Sequence, residues 1–463
     1  MTNFLHSRLA CIAVLAAGAA AGTLTEQDAI RIALEHNTSV RVARINRATD
    51  SLTLAAAKAA FLPQLSAGAG LSWTPAGDGA LANAASVSGT QAIPGGGSVS
   101  GGVETDQVRV VGAGAASLGT TWSLGVRQPL AAGAWRYGQP SYDLMVQRVS
   151  DRESDTRFLQ RLAGSLGEVR SRYWGCYESA RSLAIAAEAM AQAERLRTKE
   201  RARFAVGDAA LIDTLGAALE YLKSQQDLLS AEAALSRARR DLAAALMVPV
   251  DSLAMPETLD VSVAELPPAG ELLGAVRAYD PERSLFELAY EKLEMQLGQR
   301  RNALLPQVDL QASYRHAEPS STSPSLMENS VFSLIVSYAL PTLEKRISVA
   351  KARLSMEQSQ ADIAQRDREI ADQVAELEEN WNLERRKLAS AELAAEVARK
   401  KLAVAEKSYE IGSMDQLTYL TARQDAFDAL TSALKQSIEL KRQEIVFDEL
   451  TGAVLSRFGV QIR

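Results

Sequence analysis

A short motif in which a helical pattern stops at a proline and a strand pattern begins occurs twice in this chain. Its first copy runs from Ala60 to Leu65, and its second runs from Ala303 to Val308. After each proline, apolar residues alternate with small or polar residues, which is the pattern of a strand with one apolar face. The fold must therefore pass from helix to strand at two equivalent places.

The pattern around these junctions is duplicated as a whole. Each half reads as helix, strand, loop, strand, very long helix, glycine turn and helix. The first repeat, 23–247, has predicted strands at about 64–73 and 117–128 and long helices at about 142–206 and 209–247. The second, 271–455, has predicted strands at about 307–317 and 331–340 and long helices at about 343–409 and 416–450. A proline-rich linker, 248–270, separates them, and 456–463 form a C-terminal tail.

Leucines spaced seven residues apart mark the predicted long helices. Leu215, Leu222 and Leu229 form one such series, and Leu228, Leu235 and Leu242 form a second series on the same helix. Sustained seven-residue spacing with charged flanks is typical of coiled-coil packing. The fold class is therefore mainly α with a small β part.

Between the first two predicted strands lies a segment rich in Gly, Ala and Ser, residues 74–116. It contains Pro75, Pro94 and the triplet Gly95-Gly96-Gly97. This composition predicts an exposed loop without a packed core, with the glycine triplet at a loop tip. The prediction is then four strands in the whole chain.

The first 22 residues read as a secretory signal peptide. Arg8 supplies the positive charge, 9–17 the apolar stretch, and Ala19 to Ala21 the small residues of a cleavage site. Cys11 has a weak lipid-attachment motif before it, but the apolar stretch follows the cysteine, which favours cleavage near Ala21. No later run reaches the ~18 apolar residues of a membrane helix.

Residue patterns that would indicate nucleic-acid binding, a metal site or catalysis are sparse in this sequence. The net charge is −6 without a basic stripe, which argues against nucleic-acid binding. The three histidines lie far apart and form no metal motif, and no cofactor or catalytic grouping is predicted. Cys176, within a helical run, is interpreted as a buried apolar residue.

Four strands with one apolar face cannot close a membrane barrel alone, because the smallest single-chain barrels use about eight. Several chains would have to contribute strands to one barrel. Aromatic residues at or near the predicted strand ends suit membrane interfaces; they are Trp73, Trp122, Tyr314 and Tyr338. For any single strand, a soluble sheet capping a coiled coil is the alternative.

Taken together, the duplicated plan, the two junctions and the turns Phe204-Ala205-Val206-Gly207 and Tyr409-Glu410-Ile411-Gly412 resemble the TolC family of outer membrane efflux proteins. The resemblance covers the mature chain from Leu24 to about Leu455. It implies a homotrimer whose twelve pooled strands form a barrel among the lipids of a Gram-negative outer membrane, continued by a periplasmic α-helical tunnel. It also implies docking to a periplasmic adaptor and an inner-membrane transporter, and no catalysis.

The resemblance extends to individual residues at the two glycine turns, which correspond to the family's periplasmic tip and adaptor contact. The tip residues are Val206, Gly207, Asp208, Ile411, Gly412 and Ser413. A gate built from two aspartates in one family member is not carried over, because Thr418 and Thr421 occupy those positions. Asp208, Asp213 and Asp415 lie nearby, where they form either a charged ring in a trimer or ordinary caps and dipole partners at helix starts.

Two functions are therefore considered. The first is an outer-membrane exit duct of a tripartite efflux or type I secretion system. The second is an exported coiled-coil structural protein or adhesin without channel activity. The sequence does not identify the cargo.

Overall fold

The structure is a computed structural model that describes residues 23–74, 80–110, 116–256, 266–318, 327–338 and 342–457. The predicted signal peptide with Cys11 lies outside the described residues. Nine α-helices are found in the described part of the chain: α1 (Glu26–His36), α2 (Thr38–Ala59), α3 (Gln139–Ala205), α4 (Leu211–Leu246), α5 (Ala269–Tyr279), α6 (Pro281–Asn302), α7 (Leu343–Glu410), α8 (Gln416–Thr451) and α9 (Ala453–Arg457).

One antiparallel sheet accompanies these helices, and its strands follow one another in chain order. They are β1 (Gln64–Thr74), β2 (Ala80–Ile93), β3 (Gly97–Val110), β4 (Ala116–Pro129), β5 (Gln307–Ala317) and β6 (Met327–Ser337). The predicted fold class, mainly α with a small β part, is confirmed.

The prediction of an exposed loop over 74–116 is wrong, because β2 and β3 occupy most of that segment. The sheet therefore has six strands within the described residues and not four. Both strands are rich in small residues, so their sequences show only a weak alternation of apolar and polar residues. Backbone hydrogen bonds to both neighbours hold β2 and β3 in the sheet, so they need few large side chains.

Two other elements differ from the sequence patterns. β6 begins at Met327, four residues before the predicted start, and it pairs with β5 along its whole length. The first helix is interrupted at Asn37, whose side chain accepts a hydrogen bond from the Ser39 amide at 2.7 Å. Asn37 thereby caps α2, as a side-chain oxygen at this position does.

The chain forms two compact units, and each takes segments from both halves of the sequence. The helical unit contains residues up to 44, 158–281 and from 367 onward, and the strand unit contains 45–157 and 282–366. The two units therefore do not coincide with the two sequence repeats.

An aromatic cluster lies at the centre of the helical unit. The ring of Trp174 meets Tyr173 and Tyr177 edge to face, with centroid distances of 5.5 and 5.4 Å. Cys176 is buried beside them, and burial raises the pKa of its thiol to about 11. The interpretation of Cys176 as a buried apolar residue is confirmed.

A buried ion network joins three segments of the helical unit. Arg170 of α3 donates hydrogen bonds to Glu26 of α1 and, at 2.7 Å, to Asp448 of α8. Arg457 also binds Asp448, at 2.8 Å. Burial raises the pKa of the Asp448 carboxyl, and the two guanidinium groups only partly oppose that rise. The network is costly to break, because a lone charge would stay in the core.

Replacing Arg170 tests this network. We expect Arg170→Ala to lower the free energy of unfolding by about 3–5 kcal/mol, because it leaves the fully buried Asp448 with one cation fewer. Arg172→Ala, on the exposed side of α3, is the matched control and should cost at most ~1 kcal/mol. Thermal unfolding followed by circular dichroism measures both, and equal losses would contradict the assignment.

Candidate functional site

One face of the sheet, called the apolar face, is mainly apolar, although Asn83, Gln107, Arg109, His316 and Glu328 also lie on it. Because directly opposed residues in an antiparallel sheet share a face, the strand register identifies its members. The larger apolar ones are Leu65, Leu71, Trp73, Val87, Val99, Val103, Leu118, Trp122, Leu124, Val126, Leu310, Tyr314, Phe332, Leu334 and Val336. Leu65 is 80% exposed and Phe332 is 83% exposed in the single chain. This apolar face is uncovered by any other element of the described chain.

The four aromatic residues expected at membrane interfaces lie at different heights in the sheet. Trp73 is the last but one residue of β1, and Tyr338 directly follows β6 at the opposite end. Trp122 and Tyr314 instead lie inside β4 and β5, because β4 begins at Ala116 and extends past Trp122 on both sides. The interface role of all four stays a prediction.

The opposite face of the sheet, called the polar face, carries small and charged side chains. Glu104 and Asp106 of β3 lie on it, and Arg315 lies on it from β5. Arg127 and Asp309 form an ion pair of 2.7 Å across β4 and β5. The polar face therefore suits contact with water, whereas the apolar face does not.

Both edges of the sheet lack a second strand partner within the described residues. β1 and β6 form these edges, and each has 11 residues. Because neighbouring strands alternate in direction and the sheet has six, β1 and β6 run in opposite directions. Each edge presents a row of unpaired backbone donors and acceptors of the same length.

The two glycine turns have the same geometry. The amides of Gly207 and Asp208 donate to the carbonyls of Phe204 and Arg203, at 3.0 and 2.9 Å. At the second turn, the amides of Gly412 and Ser413 donate to Tyr409 and Ser408, at 3.2 and 2.9 Å. These paired bonds define the Schellman motif, which requires a left-handed residue.

That left-handed residue is glycine at both turns, with φ of 79° at Gly207 and 75° at Gly412. The apolar side chain before each glycine points into solvent, since Val206 and Ile411 are both 80% exposed. Asp208 pairs with Arg203 at 3.1 Å, and the Ser413 hydroxyl donates to the Ser408 carbonyl at 3.0 Å. The six predicted tip residues thus form two similar turns that each expose one apolar side chain.

The four residues considered for a gate make local bonds in the first turns of α4 and α8. Asp415 accepts hydrogen bonds from the Thr418 hydroxyl and amide, at 2.7 and 3.0 Å, and these bonds lower its pKa. Asp213 accepts from the Ala210 amide at 3.3 Å, and the Thr421 hydroxyl donates to the Leu417 carbonyl. The bonds of Asp415 and Asp213 are those of helix caps, whereas the Thr421 bond runs back to the preceding turn of α8. The charged ring stays a prediction.

Sequence reasoning missed a buried charge near these turns. Arg423 of α8 is 1% exposed and binds Glu220 and Ser224 of α4. A signal for it was present, because Arg423 lies four residues after Tyr419 and three before Ala426, which are both buried. Residues at such spacing share a helix face.

Substituting alanine at Gly412 tests the turn geometry. A Cβ there would meet no neighbouring atom, so only the left-handed backbone opposes it, at about 1–2 kcal/mol. We expect 5- to 30-fold faster hydrogen exchange at the Gly412 and Ser413 amides. Gly175→Ala, in open space on α3, is the matched control and should stabilise that helix. Unchanged exchange in Gly412→Ala would contradict the assignment.

Part of the chain matches a known protein family. Residues 279–453 match the sequence profile of the family described as outer membrane efflux protein. No curated protein matches the chain in sequence. No described helix is both long and apolar enough to cross a membrane.

Solved structures of outer membrane proteins share the fold over most of the chain. The outer membrane protein VceC from Vibrio cholerae has 14% identity and a TM-score of 0.68, with 92% of this chain and 96% of that chain covered. The Campylobacter jejuni outer membrane channel CmeC has 14% identity and a TM-score of 0.66, covering 92% and 85%. The Neisseria gonorrhoeae outer membrane channel MtrE, in its open state, has 18% identity and a TM-score of 0.66, covering 93% and 89%.

The family match and the shared fold lead to the same assignment. The profile covers the second repeat, and the structural likeness extends the fold to the first. The predicted outer membrane location is confirmed. The resemblance predicted from the sequence is also confirmed, because residues 279–453 match the outer membrane efflux protein family and the chain shares the fold of solved outer membrane channels.

Proposed function

We propose that this protein is the outer-membrane exit duct of a tripartite efflux or type I secretion system. In this proposal three copies form a passive channel that docks to a periplasmic adaptor and an inner-membrane transporter. The observation that carries the proposal is the six-stranded sheet with an exposed apolar face and two open edges of equal length.

Lipid is the environment that suits the apolar face. A contiguous apolar surface that crosses six strands is larger than soluble monomers normally leave in water. Lipid chains around it would remove the cost of hydrating side chains such as Leu65 and Phe332. The polar face would then line a water-filled passage.

A second copy of the chain suits the open edges. A membrane sheet must satisfy every backbone donor and acceptor, so its edges have to close. β6 of one copy can pair with β1 of the next in antiparallel fashion, since the two strands run in opposite directions and have equal lengths. A ring of identical copies then has no free edge. The family resemblance implies that this ring contains three copies.

The helices supply a second surface for assembly. Leu215, Leu222 and Leu229 recur at seven-residue steps on α4 and stay exposed in the single chain, with Leu222 58% exposed. Leu242, from the other leucine series of α4, is fully buried in the helical unit. One leucine stripe of α4 therefore packs within its own chain. The other is exposed in the single chain, and coiled-coil packing against a neighbouring copy would cover it.

Reconstitution tests the duct directly. We expect the wild-type protein to be extracted from outer membranes as a heat-modifiable trimer and to conduct ions in planar bilayers. Leu222→Glu should weaken the trimer and remove conductance, because it introduces a charge at each proposed helix contact. Ser230→Glu adds the same charge beside the leucine stripe on α4 and should retain both properties.

Two results would contradict the duct. A protein found wholly soluble in the periplasm would favour the exported structural protein or adhesin. A folded, membrane-extracted trimer that never conducts would likewise exclude a passive channel.

The two glycine turns are proposed as the adaptor contact. Each exposes one apolar residue, Val206 or Ile411, next to a rigid Schellman turn. Exposed apolar side chains on fixed backbone are suited to bind a partner, because little conformational entropy is lost on binding. The transporter would supply the energy for export, so the duct needs no catalytic site.

Complementation of a deletion strain tests this contact. We expect deletion to raise sensitivity to an exported compound or to block secretion of a protein. Val206→Ser combined with Ile411→Ser should fail to complement while still forming conducting trimers. Leu52→Ser, which removes a comparably exposed residue from α2, is the control and should complement. Full complementation by the double variant would remove these residues from the contact.

A further inference from the structure

The hairpin formed by β2 and β3, here called the extra hairpin, has no counterpart in the described part of the second half of the chain. The first half supplies β1 to β4, whereas the second half supplies β5 and β6 within the described residues. The duplicated plan and the family resemblance account for two strands in each half. The extra hairpin, residues 80–110, therefore adds two strands to that plan.

The extra hairpin is an internal part of the sheet. β2 pairs with β1 along all of β1, from Gln64 to Thr74, and β3 pairs with β4 from Ser98 to Arg109. Both faces of the sheet continue across it, with Val87 and Val103 on the apolar face and Glu104 and Asp106 on the polar face. It thus has the same two-sided character as the neighbouring strands.

The turn between β2 and β3 is fixed to the segment that follows β4. The Gly95 carbonyl accepts hydrogen bonds from the Trp135 amide at 2.7 Å and from Gln128 Nε2 at 3.0 Å. Gly96, with φ of 85°, lies so close to Gly133 and Gly138 that a Cβ would clash with their backbone atoms. The predicted loop tip is therefore a packed turn, and the hairpin is held within the sheet.

Two antiparallel strands can be added here without disturbing their neighbours. Across the sheet, Leu65 is level with Gly89, Gly101 and then Leu124. Without the hairpin, β1 and β4 would still run antiparallel, and Leu65 could face Leu124 on the same face. The sheet can therefore close with or without the extra hairpin, but with a different circumference.

We infer that the extra hairpin widens the channel and so admits bulkier hydrophilic solutes, such as polypeptides. The inference rests on the proposed function, in which three copies pool their strands. Three copies of six strands give eighteen, compared with the twelve that the family resemblance implies. With strands ~4.8 Å apart and tilted by ~40°, the backbone radius rises from about 12 to about 18 Å.

Polymer exclusion in planar bilayers tests the width. Polyethylene glycols of increasing size are added to one side of the bilayer at a time, so that the two entrances of the channel are measured separately. Allowing a side-chain layer of ~5 Å, we expect a cutoff radius near 13 Å for the wild type. Deletion of residues 80–110 should reduce the cutoff to about 7 Å, the value for twelve strands.

Glu104→Gln combined with Asp106→Asn is the matched control. This variant keeps all six strands but removes two charges from the polar face, so its cutoff should equal that of the wild type. A reduced cutoff in this variant would assign the effect to charge and would overturn the inference.

The remaining outcomes separate the inference from the proposed function. Equal cutoffs for the wild type and the deletion would overturn the widening alone. If the variant that lacks residues 80–110 fails to assemble, the cutoff radius of the wild type alone tests the inference. A wild-type cutoff near 7 Å would overturn the inference that the extra hairpin widens the channel. A wild-type trimer that inserts but never conducts would overturn the proposed function itself.

Discussion

The backbone of the two edge strands sets the main constraint on this molecule. In lipid, an unpaired amide or carbonyl has no water to bind, so an open sheet is unstable there. The single chain ends its sheet at β1 and β6, which have equal lengths and opposite directions. In the proposed assembly, the copies that pair the sheet edges also cover the exposed leucines of α4, whereas lipid covers the apolar face.

Much of the fold follows from short sequence signals with a direct physical cause. Proline stops a helix and tolerates the start of a strand, which explains the junctions at Pro63 and Pro306. Glycine adopts the left-handed conformation that ends α3 and α7, at Gly207 and Gly412. These residues act through their own backbone geometry, so the sequence alone reveals them.

Features that depend on distant partners were not predictable in this way. β2 and β3 are rich in small residues, and their stability comes from hydrogen bonds to β1 and β4 and not from their own side chains. The Arg170 network joins residues up to 278 positions apart, which no local pattern encodes. At the candidate site, the six turn residues were located from sequence, whereas the buried Arg423 and the helix-cap bonds of Asp415 required the structure.

The extra hairpin has a geometric consequence for how such channels can diverge. An inserted single strand would reverse the direction of one edge, and a ring of copies could then no longer close in antiparallel fashion. Only pairs of strands preserve closure, and threefold symmetry multiplies each pair by three. The circumference of a trimeric channel of this kind therefore changes in steps of six strands, so pore sizes within the family would form a discrete series.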